Sequence, residues 1–104
     1  MATSVVFGSV RQSDGGMLNP GSGGWSSTRV STGRYKITFN ATSSQAPIVV
    51  VTPVDDAGRQ SADNQFSTYN HEHSPPAVYV CSVDKASGAL EDANFSFVAY
   101  VVQS

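Results

Sequence analysis

Apolar and polar side chains alternate strictly from residue 34 to residue 40, and no other feature of the sequence constrains the fold more. Tyr35, Ile37 and Phe39 occupy every second position, and the residues around them are polar or charged. Successive side chains of a β-strand point to opposite faces, so this spacing predicts an antiparallel strand with one face on a core. A helix would instead place its apolar residues three and four positions apart.

The composition extends this prediction to the whole chain. The 104 residues include 14 Val but only two Leu and two Ile, and Lys and Glu occur twice each. Strands favour Val and aromatic residues, whereas helices favour Leu, Lys and Glu, so a mainly helical fold is excluded. Cys81 is the only cysteine, which excludes an intramolecular disulfide, and no apolar run reaches the roughly 18 residues of a membrane-spanning helix.

Turn residues divide the chain into short segments with strand character. We predict strands near residues 5–10, 25–30, 34–40, 48–52, 60–69, 77–83 and 94–102, with loops at 12–24 and 70–76. Six or seven strands separated by turns indicate an all-β fold, an antiparallel β-sandwich, which residues 1–104 form as a single domain.

Three of these segments are apolar on both faces, namely residues 5–10, 48–51 and 95–102. The core of one sandwich covers one face of each strand, so the second face needs another cover. We therefore expect a homo-oligomer in which neighbouring chains supply that cover. The alternative is an inner strand that tolerates a few Val and Tyr residues on its surface.

A series of strand and turn motifs runs over most of the chain, from Val5 to Val102. In order, it comprises Gly8-x-Val10, a Gly-rich stretch that ends at Gly24, Arg29, Gly33-Arg34-Tyr35-Lys36-Ile37-Thr38-Phe39, Pro47-Ile48-Val49-Val50-Val51, Val78-x-Val80, Asp84, Gly88 and Asp92-x-x-Phe95-x-Phe97. This series resembles the C-terminal receptor-binding domains of phage tail fibres and bacterial surface fibres, and the H-type (snail agglutinin-like) lectins. The heads of complement-type trimers carry a similar Gly-x-Tyr-x-x-x-Phe strand.

The resemblance implies a homotrimer that binds a glycan or cell-surface receptor, located on a virion tail fibre or outside the cell. H-type lectins bind N-acetylgalactosamine between protomers and usually carry a Trp near the penultimate strand. The matching region here reads Tyr79-Val80-Cys81-Ser82, without Trp. Their sugar site is therefore not carried over, and the identity of the sugar stays open. A structural trimerisation or fibre-tip domain without its own ligand site is the alternative function.

Sugar sites combine an aromatic side chain, on which the C–H face of the ring stacks, with polar groups that bind its hydroxyls. Residues 14–25 and 55–73 supply such groups. The candidate ligand-binding residues are Trp25, Asp55, Asp56, Arg59, Asn64, Tyr69 and His71. In the alternative interpretation, Trp25 is a core residue and residues 55–58 form an ordinary turn.

His71-Glu72-His73 is the sharpest local motif. In an extended chain both His side chains point to one face, and three copies around a three-fold axis would offer six imidazoles to iron or nickel. Pro75 and Pro76 follow directly and favour a polar loop, with a ligand contact as a further alternative, so we otherwise expect no cofactor.

Other partners and activities have little support. The six Lys and Arg are scattered and the net charge is −2, which argues against nucleic acid. We expect no membrane insertion, and no signal-peptide pattern is visible. No Gly-x-Ser-x-Gly motif or phosphate loop occurs, and Cys81 lies in an apolar segment without a basic neighbour, so we expect a non-catalytic protein with an inert buried thiol.

Overall fold

The computed structural model describes residues 2–43, 45–54, 64–73 and 75–103. These residues form strands and connecting turns, with no helix among them. The strands are β1 (Ala2–Val10), β2 (Met17–Asn19), β3 (Trp25–Ser31), β4 (Arg34–Phe39), β5 (Ile48–Pro53), β6 (Asn64–His73), β7 (Pro76–Asp84) and β8 (Phe95–Gln103). Within that described part, nothing is both helical and apolar enough to cross a membrane.

The strands form two four-stranded antiparallel sheets. The first sheet has the order β2-β1-β8-β5 and the second has the order β3-β4-β7-β6. The predicted all-β sandwich is therefore confirmed, although the described residues form eight strands where the sequence predicted six or seven.

The additional strand, β2, lies inside the region that was predicted to be a loop. Asn19 pairs with Ser9 of β1, so the chain folds back on itself after a tight turn. In that turn the Arg11 amide donates to the Gly16 carbonyl, and the Arg11 side chain pairs with Asp14 at 2.9 Å. The side-chain hydrogen bond from Arg11 lowers the pKa of Asp14 to about 2. The sequence did not predict this strand because its three residues show no alternation of apolar and polar side chains.

The second predicted loop, residues 70–76, is wrong at both of its ends. Residues up to His73 continue β6, and Pro76 opens β7 as the partner of His73. Proline is tolerated at the first position of a strand because its missing N–H costs little there. A bulge between Tyr69 and His71 leaves Asn70 unpaired, with a positive φ of 48° that Asn accepts more readily than most residues.

An aromatic cluster fills the space between the sheets. Phe97 of β8 meets Trp25 edge-on, with their ring centroids 4.9 Å apart, and Phe95 packs in the same way against Tyr35 at 5.4 Å. Both pairs join one sheet to the other, so the alternating positions predicted to face the core do so. Edge-to-face packing of the rings stabilises the core in addition to the burial of these large side chains.

The Asp92 carboxylate contacts two other residues of the motif series, Arg29 and Gly33. The Arg29 Nε donates to Asp92 at 3.0 Å, and the Gly33 amide donates to the same carboxylate at 2.7 Å. Burial raises the pKa of Asp92, but the hydrogen bonds from Arg29 and Gly33 outweigh that effect and bring its pKa below the usual value. This contact ties the β3–β4 hairpin to the segment before β8, so these three residues serve the fold.

Candidate functional site

Polar and aromatic side chains cover the outer surface of the second sheet. On β4, β7 and β6 they occupy the positions that alternate with the core residues. Lys36, Tyr79 and Tyr69 are direct cross-strand partners and form one row across the three strands. Arg34, Cys81 and Ser67 form the next row. We call these six residues the tyrosine face.

The two tyrosines of this face lie side by side, with a basic residue over each ring. The centroids of Tyr69 and Tyr79 are 5.5 Å apart. The Arg34 guanidinium carbon is 5.6 Å from the Tyr69 centroid, and the Lys36 Nζ is 5.3 Å from the Tyr79 centroid. Both distances are within the range in which a cation is attracted to the electron-rich face of a ring. The rings are thus held in place by neighbours on rigid strands.

The two cations of the tyrosine face differ in their acidic partners. The Lys36 Nζ lies 3.0 Å from the Glu72 carboxylate, and the hydrogen bond to Glu72 raises the pKa of Lys36. Arg34 has no carboxylate partner among the described residues, and its contact is with the Tyr69 ring. The face therefore presents one neutralised cation and one cation whose charge no described residue balances.

A shallow cavity of about 150 Å³ opens beside Arg34. It is lined by Arg34, Ser67, Tyr69 and Cys81. Drug-sized ligands occupy cavities of about 300–1,000 Å³, so this one accommodates a single small group or part of one sugar ring. Its lining combines an aromatic ring, a hydroxyl, a thiol and a guanidinium, which is a suitable set for a polar ligand.

The position of Cys81 corrects one interpretation of the sequence. Cys81 is half-buried rather than buried, and its cross-strand partner is the basic Arg34. The alternation in β7 correctly placed Tyr79 and Cys81 on the same face, and that in β4 placed Arg34 and Lys36 together. Which strands are neighbours is not readable from either pattern, so these functional candidates were missed.

A groove of about 300 Å³ separates the edge strands of the two sheets, β5 and β6. Val49 lines its β5 side, and Thr68, Asn70 and His71 line its β6 side. His71 pairs with Val78, on the side of β6 opposite to Tyr69. The bulge at Asn70 therefore places two predicted ligand residues on different surfaces, Tyr69 on the tyrosine face and His71 in the groove. Tyr69 lines both the groove and the cavity beside Arg34.

Two predicted ligand residues are structural. Trp25 is only 2% exposed, packs against Phe97, and donates its indole N–H to the Pro20 carbonyl at 3.0 Å. Its ring lies in the core cluster, where the alternative interpretation of the sequence placed it. Asn64 is buried and donates from its amide to the Ser82 hydroxyl at 3.0 Å. The sequence could not separate these two from exposed residues because their burial depends on the opposing sheet.

The remaining predicted residues have different outcomes. Asp55, Asp56 and Arg59 lie outside the described residues. His71 and His73 both belong to β6, where they pair with Val78 and Pro76 of β7. Across residues 2–43, 45–54, 64–73 and 75–103, no three His, Cys, Asp or Glu side chains come together in one chain. A metal shared by three chains stays a prediction.

The outer surface of the first sheet has the opposite chemistry. Six of its side chains are large, apolar and 40–65% exposed: Val5, Phe7, Ile48, Val50, Val98 and Tyr100. They form two rows across β1, β8 and β5, because Tyr100 pairs with Val5 and Ile48, and Val98 pairs with Phe7 and Val50. We call these six residues the apolar face. The three segments that were apolar on both sides in the sequence are thus neighbours in one sheet.

No protein-family model, curated protein or solved structure matches the chain. The function must therefore be argued from the chemistry of the two outer faces.

Proposed function

We propose that the protein is a non-catalytic carbohydrate-binding module that acts as a homotrimer. Chains associate through the apolar face, and each chain binds a cell-surface carbohydrate through its tyrosine face. The observation that carries this proposal is the contrast between the two outer surfaces of one small sandwich, since one is apolar and the other is polar and aromatic.

The size of the apolar face supports association. From their exposed fractions, its six side chains present roughly 500 Å² of surface, which lies in the range of the largest patches on monomers, about 300–600 Å². Polar Ser9, Ser96 and Thr52 form the next cross-strand row, so the patch has a polar border on that side. A standard interface buries about 800 Å² per partner around an apolar centre, and this patch is large enough to form that centre.

The tyrosine face supports carbohydrate binding. A sugar presents a C–H face that stacks on an aromatic ring and hydroxyls that need donors and acceptors close by. Tyr69 and Tyr79 offer the rings, and Arg34, Ser67 and Glu72 offer the polar groups. Because all of them are on strands, the site is positioned before the ligand arrives.

The trimeric state follows the resemblance to tail-fibre receptor-binding domains and H-type lectins, as does a location on a virion or outside the cell. Three identical weak sites would act together on a surface that carries many copies of the sugar. A structural trimerisation domain is the alternative, and it needs the apolar face alone. The paired tyrosines with their cations favour the binding function, because assembly through the other sheet gives them no role.

A glycan array tests this proposal. We expect the wild-type protein to bind a defined subset of glycans, Tyr79→Ala to lose that signal, and Tyr79→Phe to retain most of it because the ring remains. Equal thermal unfolding of the two variants controls for folding. Absence of any bound glycan would favour the structural alternative, and undiminished binding by Tyr79→Ala would refute the assignment to the tyrosine face.

A further inference from the structure

Arg34 is the charged group of the tyrosine face that has no carboxylate partner among the residues that the structure describes. Three charged side chains occupy this surface within the described residues: Arg34, Lys36 and Glu72. Lys36 and Glu72 neutralise each other at 3.0 Å. Arg34 is exposed and its guanidinium is held over the Tyr69 ring. Counted over the described residues, the surface therefore has a local charge of +1 centred on Arg34, although the whole chain carries −2.

The surroundings of Arg34 are suited to an anionic group. A guanidinium binds a carboxylate through two parallel N–H···O bonds, and its stacking on a ring limits the conformations that it must give up. The adjoining cavity of about 150 Å³ adds the Ser67 hydroxyl as a further donor and the Tyr69 ring as a wall. A carboxylate at Arg34 thus has charge, donors and space within one small site.

We infer that the tyrosine face binds a carboxylate-bearing sugar, such as a hexuronic or sialic acid residue, with the carboxylate at Arg34 and the sugar ring against Tyr69. This inference rests on the proposed function and names its ligand class. A neutral sugar uses the tyrosines but supplies no counter-ion to Arg34. A nucleic acid requires a row of cations, and among the described residues of this face only Arg34 is a cation without an acidic partner.

Pairs of sugars that differ only by esterification test the inference. The probes are trigalacturonate with its methyl ester, and the methyl glycoside of N-acetylneuraminic acid with its methyl ester. Calorimetry measures the Kd of each for the 104-residue chain. We expect one acid to bind about 10- to 100-fold more tightly than its ester, because a charged hydrogen-bonded contact is lost on esterification.

Two variants locate the carboxylate. Arg34→Gln should weaken binding of the acid by about 10- to 100-fold and binding of the ester much less, so that the preference for the acid is lost. Lys85→Gln removes the same charge from the turn after β7, outside the tyrosine face, and should keep the preference. Amide shifts confined to residues such as Ser67, Tyr69 and Cys81 in a nuclear magnetic resonance titration would place the ligand on this face.

The outcomes separate the inference from the proposed function. If acid and ester bind equally, or if Arg34→Gln retains the preference, the acidic ligand class is wrong while carbohydrate binding stands. If neither acid binds but neutral glycans do, the inference is overturned in the same way. If no glycan binds in the array or in calorimetry, the proposed function itself fails.

Discussion

Val50→Lys separates association from folding because Val50 is largely exposed in the single chain. It is 62% exposed on β5, an edge strand of the first sheet, where it lies beside Val98 in the apolar face. A lysine at this position extends into solvent in an isolated chain, so the sandwich should keep its stability. In an assembly formed through the apolar face, the same lysine would lie in the interface.

The exposed fraction of Val50 sets the size of the effect. About 60% of Val50 is exposed in the single chain, and the remainder is already buried. Covering the exposed part in an interface contributes roughly 2 kcal/mol, at about 25 cal/mol per Å² of apolar surface. Losing this contribution weakens association about 30-fold. Burying the lysine ammonium without a partner adds a further cost of several kcal/mol. We therefore expect at least a 30-fold increase in the dissociation constant.

Val30→Lys provides the matched control. Val30 is 51% exposed on β3, an edge strand of the second sheet, and receives the same substitution outside the apolar face. Sedimentation equilibrium over a dilution series should give three times the 10.9 kDa chain mass for the wild type and Val30→Lys, and the chain mass for Val50→Lys. A monomeric wild type, or equal dissociation of both variants, would refute the reasoning, and twice the chain mass would replace the trimer by a dimer.

Three further predictions concern the fold and the tyrosine face. Asp92→Asn should lower the free energy of unfolding in urea by about 1–3 kcal/mol above pH 5, since the charged contact with Arg29 is lost. Because the folded pKa of Asp92 is below its ordinary 3.8, this difference should disappear as the pH falls through that lower value, and a pH-independent difference would contradict an ionic role. Gly8→Ala should lower the melting temperature, with a cost of about 1–3 kcal/mol, because an added Cβ would overlap the Trp25 indole, and unchanged melting would refute this packing. Iodoacetamide should alkylate Cys81 more slowly in the acid that binds more tightly in calorimetry than in its methyl ester, as measured by mass spectrometry, and equal rates would place the acid elsewhere.

The local patterns of the sequence predicted most of the strands and the direction of their side chains. Tyr35, Ile37 and Phe39 alternate with polar residues, and all three are buried. Residues 5–10, 48–51 and 95–102 are apolar on both faces, which also predicted a second apolar surface. The core covers only one face of a strand, so the apolar side chains of the other face lie outside it. These properties follow from the two-residue repeat of a strand, which acts within a few positions.

The prediction failed where structure depends on pairing between distant segments. The segment 70–76 has polar side chains and prolines that are typical of a loop, yet residues 71–73 and Pro76 are paired in the ladder of β6 with β7. Trp25 is of a residue type on which sugar rings stack, yet its ring is covered by Phe97 from the opposite sheet. In both cases a contact far along the chain overrides the local preference.

The candidate site shows the same division. The sequence by itself determined that Arg34 and Lys36 share one side of their strand, and that Tyr79 and Cys81 share one side of another. Only the tertiary structure decided that these strands are neighbours and that Tyr69 completes the row. Strand order and register place Arg34 over Tyr69 and leave it without a described carboxylate, while the first sheet gathers the apolar face on the opposite surface. The physical reason is that a strand's repeat specifies which face a side chain occupies, whereas its neighbours on that face come from the packing of the whole chain.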